Sequence, residues 1–201
     1  MKTLVFVSAA LLGLMGFHVA PALATTFTVD AMANSSTGGA GLNTINLTAG
    51  QGFTVTANPS DLWSAGSLPR WSNANGLIQN LFATAGDETG ESPGTQIGAV
   101  FPLWTQDGLT APFGALVGQI GAGAFFPIGT SFSGVAGTSG ILRLFFWDQN
   151  NGDNTHSILA DVNIAGNAVP LPAALPLFAT GLGGLGLLGW RRKKKAAALA
   201  A

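Results

Sequence analysis

Asp148, Asp153 and Asn154 are the residues of this 201-residue chain whose types and spacing most readily do chemistry. They lie in the run DQNNGDN, between an apolar segment and an alternating one, so a turn there brings two carboxylates and a carboxamide to one edge of a sheet. A hard cation such as Ca2+ takes about six to eight oxygens from carboxylates, amide carbonyls and backbone carbonyls on a loop that curls around it. The three side chains answer that requirement, and Ca2+ is the cofactor they suggest. Asn151-Gly152 is also a hairpin-turn dipeptide, and Asp and Asn populate turns without binding anything, so a plain turn reads from the same residues. Trp63, Trp71 and Trp104 carry flat, rigid faces that could stack on a sugar or fill a core. Trp63, Gly66 and Trp71, with Asp148 and Asn154, form the candidate sugar-contacting set.

Other chemistries find less support. Glu88 and Glu91 stand three residues apart in a polar stretch and read as a solvated patch, since a glycosidase pair must flank the scissile bond from fixed elements. A serine-histidine-aspartate triad would have to use His156, and no GxSxG elbow is present. The chain therefore reads as a non-enzyme. Cysteine is absent, which excludes a disulfide framework, a thiolate metal site and a cysteine nucleophile. Between the two ends, nine acidic residues stand against Arg70 and Arg143, a net charge of −7 that makes nucleic acid an unsuitable partner.

The other six basic residues are Lys2 and the block Arg191-Arg192-Lys193-Lys194-Lys195. Lys2 precedes an uncharged apolar run from Leu4 to Phe17 and then Ala22-Leu23-Ala24, the order of a signal peptide over residues 1–24 cleaved after Ala24. Near the other end, the stretch from Val169 to Trp190 is uncharged and close to the roughly 20 residues that a helix needs to cross a bilayer. A span over about 173–190 is expected, with Trp190 at the interface and the basic cluster 191–195 held in the cytoplasm. The intervening domain, 25–168, then lies outside the cell.

Val169-Pro170-Leu171-Pro172-Ala173, the apolar run and the basic cluster beginning Arg191, Arg192 and Lys193 together resemble the VPLPA variant of the PEP-CTERM sorting signals. The resemblance covers 169–201. It implies an exosortase-like membrane protease as partner, in a Gram-negative bacterium that makes exopolysaccharide, and a final place at the cell surface or in the extracellular matrix.

The elements that must position the candidate site are short strands. Ile158, Ala160, Val162 and Ile164 alternate with Leu159, Asp161 and Asn163, the period-two pattern of a half-buried strand. ILRLFFW, Ile141 to Trp147, is a short aromatic run bounded by Gly140 and Asp148 and suits a buried strand. Further strands are expected at Thr26–Val29, Ile45–Leu47, Phe53–Ala57 and Ala115–Ile120. Between Pro59 and Pro112 the pattern dissolves into a long polar stretch, in which Leu77–Phe82 suits a helical turn or a strand equally. An all-β domain of the sandwich or jelly-roll kind follows.

The order of these features is similar to that of the LecA-like (PA-IL-like) calcium-dependent galactose-binding lectins. The matching residues run from Ala49-Gly50-Gln51-Gly52-Phe53-Thr54-Val55 and Trp63 to Gly114-Ala115-Leu116-Val117-Gly118-Gln119-Ile120-Gly121, Phe126-Pro127-Ile128-Gly129, Gly140-Ile141-Leu142-Arg143-Leu144, Asp148 and Asp153-Asn154. The loop from Gly66 to Leu109 is unmatched, and His156 stands where that family commonly has glycine. The resemblance implies a galactose-binding-like sandwich, Ca2+ on Asp148, Asp153 and Asn154, and a surface or matrix polysaccharide as partner. The alternative is a structural matrix component that uses the same sandwich without sugar or metal.

Overall fold

The computed structural model describes residues 24–164. The expected signal peptide up to residue 23 and the sorting tail, 169–201, lie outside the described residues. Fourteen strands follow in order, and none of the described residues is helical. They are β1 (Ala24–Asp30), β2 (Leu42–Leu47), β3 (Gly52–Ala57), β4 (Trp63–Ser64), β5 (Trp71–Ser72), β6 (Leu81–Phe82) and β7 (Gln96–Gly98). The second half adds β8 (Leu103–Gln106), β9 (Leu109–Pro112), β10 (Leu116–Ile120), β11 (Phe125–Pro127), β12 (Ser131–Val135), β13 (Gly140–Phe146) and β14 (Ser157–Ile164).

Eight of these form two four-stranded antiparallel sheets, ordered β1-β14-β3-β12 and β11-β10-β13-β2. The alternation in β14 dictates its place: Ile158, Ala160 and Val162 turn inward, while Leu159 and Asp161 face water. They meet Val29, Phe53 and Val55 of the same sheet, and Leu116, Leu142, Leu144 and Phe146 of the other, in one core between the sheets. The domain is a β-sandwich.

β13 reads as a continuous apolar run because both its faces are covered. Leu142, Leu144 and Phe146 enter the main core, while Phe145, with Trp147 just beyond the strand, packs outward under Ala111, Trp104 and Phe125. The β8–β9 ribbon is thus a lid on the outer face of β10 and β13.

The stretch from Pro59 to Pro112, expected as a long polar loop, folds into three small ribbons, β4–β5, β6–β7 and β8–β9. Leu62, Trp71, Ala83 and Ile97 close a small core of their own. These residues are nine to fourteen positions apart, and strands of two or three residues are too short to show a period. Leu77–Phe82 resolves as strand only at Leu81–Phe82, with Leu77 buried in the main core.

Candidate functional site

The turn between β13 and β14 is built as a rigid wall. Ser36 Oγ donates to the Asp148 carbonyl and accepts from the Asp148 amide, both at 3.1 Å. Asn154 Nδ2 donates to the Ala31 carbonyl at 3.1 Å, and Asn151 Nδ2 to that of Met32 at 3.3 Å. These bonds pin the turn to the loop after β1. The turn closes at His156, whose φ of +69° is the left-handed backbone for which glycine is the easier residue. Its ring lies 4.6 Å from that of Trp71.

Beside this wall is a cavity of about 240 Å3, lined by Ala65, Arg70, Leu77, Phe101, Phe113, Asp148, Gln149, Asn150 and Asp153. Gly66 borders it from the β4–β5 loop, with a φ of +120°. A Cβ there would collide with Asp153 Oδ2 and lie 3.3 Å from Arg70 Nη1. Arg70 Nη1 lies 3.7 Å from Asp153 Oδ2, both side chains being about half exposed. The guanidinium carbon sits 5.1 Å from the centroid of the Phe101 ring, which stands edge-on to Phe113 at 5.4 Å. Asn150 Nδ2 donates to Asp153 Oδ1 at 3.4 Å. One side of the cavity is therefore polar, from the planar hydrogen-bonding groups of Arg70, Asp148, Gln149, Asn150 and Asp153, and the other is aromatic.

Asp148 lines the cavity and Asn154 lies buried next to it, with 4% and 0% of their surfaces exposed. Burial raises the Asp148 carboxyl above the ordinary carboxylate range, against the backbone amides of Gln149 and Asn150 and the Asn154 side chain, which favour its charge. Gln149 N donates to Asp148 Oδ1 at 2.6 Å. Asn154 Oδ1 is buried without a hydrogen-bond partner.

The structure brings Asp148, Asp153, Asn154 and Gly66 together, and Asp153 lines the cavity with its carboxylate beside the Arg70 guanidinium. Among the described residues no three His, Cys, Asp or Glu side chains are grouped so as to hold a metal.

Two tryptophans leave the sugar-contacting set. Trp63 is fully buried, edge-on to Phe146 at 4.6 Å, with Nε1 donating to the Gly114 carbonyl at 2.8 Å. Trp71 is buried with Leu62, Ala83 and Ile97. Both rings fill apolar space that the sandwich must close, so neither offers a face to a ligand. Trp104 packs over Val117 and Trp147 in the outer core. The residues missed by sequence reasoning are Arg70, Phe101, Phe113 and Asn150. Only the scarcity of arginine singled out Arg70, one of two between the ends of the chain.

No family model matches this sequence, and no curated protein matches it. Among solved structures, the chain is similar to one described as "EclA N-terminal domain; PllA-like lectin", at 20% sequence identity and a TM-score of 0.44, over 72% of this chain and 98% of that chain. The functional reading therefore stands on the geometry of this chain's own residues.

Proposed function

We propose that this chain is an exported, membrane-anchored surface protein, sorted by an exosortase-like protease, whose sandwich domain binds carbohydrate through the cavity beside Asp148. The signal-peptide pattern at residues 1–24 and the uncharged run with its basic block support export and anchoring, and the likeness of 169–201 to VPLPA sorting signals supports the sorting. One observation carries the second: Arg70, Asn150 and Asp153 stand in a single cavity against the aromatic wall of Phe101 and Phe113.

Sugars demand that combination. Their hydroxyls each donate and accept, so planar groups bearing pairs of donors or acceptors suit adjacent hydroxyls, while the C–H face of the ring lies against an aromatic side chain. The cavity is small, which suits a terminal residue or a short branch of a surface or matrix polysaccharide better than the middle of a chain. No nucleophile and base are paired in it, so the chemistry on offer is recognition.

A glycan-array screen of the full-length protein tests this, repeated with Phe101→Ala and Asn150→Ala. Binding to defined glycans that either variant abolishes supports the reading. Absence of any glycan binding by the wild type leaves a structural matrix role as the better one.

A further inference from the structure

We infer that Arg70 does in this cavity what the cation does in a metal-dependent sugar site, so that the cavity recognises the vicinal hydroxyls of a hexose without a bound metal. The inference rests on the sugar-binding reading above and concerns how that site works. A cation in such a site does two things: it neutralises the carboxylates that line the cavity, and it receives lone pairs from the hydroxyl oxygens of the sugar. Arg70 is equipped for both. Its guanidinium faces Asp153 at 3.7 Å, near enough to offset the charge and too far for a hydrogen bond. Its one hydrogen bond, from Nη1 to the Ala65 carbonyl, is long at 3.5 Å. A guanidinium has five N–H donors, so most of Arg70's fork is free to reach a ligand.

The fork is also held in place. The Phe101 ring lies under the guanidinium, and the missing side chain at Gly66 lets the β4–β5 backbone close around the Arg70–Asp153 pair. Asp153 Oδ1, supported by Asn150 Nδ2, accepts a hydroxyl proton next to the oxygen that Arg70 binds. Donor and acceptor thus lie side by side, as two neighbouring hydroxyls require. A lysine offers a point charge in place of a planar fork and does not replace this arrangement.

The test titrates the detergent-solubilised full chain with methyl α-D-galactoside, methyl α-D-mannoside and methyl α-D-glucoside, once in excess EDTA and once in millimolar CaCl2. The expected result is binding of at least one hexoside with the same affinity in both buffers. Arg70→Ala and Arg70→Lys should each weaken it by about tenfold or more, with melting temperatures close to the wild type. Binding that requires Ca2+, or that Arg70→Ala leaves unchanged, overturns the inference and leaves the sugar-binding reading standing. Failure of every hexoside in both buffers overturns the two together.

Discussion

Replacing Gly66 by alanine probes the cavity through its backbone. The native φ of +120° is open to glycine and strained for any other residue, at about 1–3 kcal/mol. At roughly 3 °C per kcal/mol for a domain of this size, the melting temperature should fall by about 3–9 °C. The new methyl would also collide with Asp153 Oδ2, the far end of a half-exposed side chain that can swing away. That movement costs little stability, but it separates Asp153 from Arg70. Gly50→Ala isolates the backbone part, because Gly50 has a φ of +84° and nothing lies within 4 Å of its would-be Cβ. Thermal melting combined with glycan titration separates the effects: both variants melt lower, and only Gly66→Ala loses sugar affinity, by about tenfold. Equal affinity in the two variants would refute the packing of Gly66 against the Arg70–Asp153 pair.

Three further outcomes are expected. Burial raises the Asp148 carboxyl in the folded state above its unfolded value, so the folded domain holds this proton more tightly; stability should be greatest below the ordinary carboxylate range and decline as pH rises through the raised value. Asp148→Asn should flatten that decline and melt higher at neutral pH, whereas a lower melting temperature at pH 7 would mean that the charge is needed. Trp63→Phe removes the bond to the Gly114 carbonyl and leaves a void, and denaturant titration should show a loss of about 2–4 kcal/mol; loss of sugar binding at unchanged stability would restore Trp63 as a ligand residue. Replacing residues 191–195 with alanine should impair membrane orientation and processing, read by cell fractionation and by the size of the product.

The main strands were legible because period and burial coincide in them. β14 shows one wet face and one dry face, and β13, dry on both, still ends at a glycine and an aspartate. The ribbons from β4 to β9 were not legible, because strands of two to four residues contain too little pattern and their small core joins residues far apart in sequence. The same distance hid half of the site. Asp148, Asp153 and Asn154 share one turn and announce themselves, but Arg70 and Phe101 are 31 positions apart and meet only because separate ribbons deliver them to one cavity. Trp63 misled for a physical reason, since a ring that can stack on a sugar is equally good core material.

The central claim, that the Arg70–Asp148–Asp153 cavity is a sugar site, is most directly tested by amide NMR of the protein during hexoside titration. A second cavity at the opposite pole of the sandwich, lined by Phe126, Phe132 and Val135 among others, serves as an internal control. Shifts centred on Ala65, Gly66, Arg70, Phe101 and the turn from Gln149 to Asp153, with Gly123, Phe132 and Val135 still, are the predicted result. Saturable shifts confined to the opposite pole or to the outer face of β14, with the cavity residues unmoved, would contradict it.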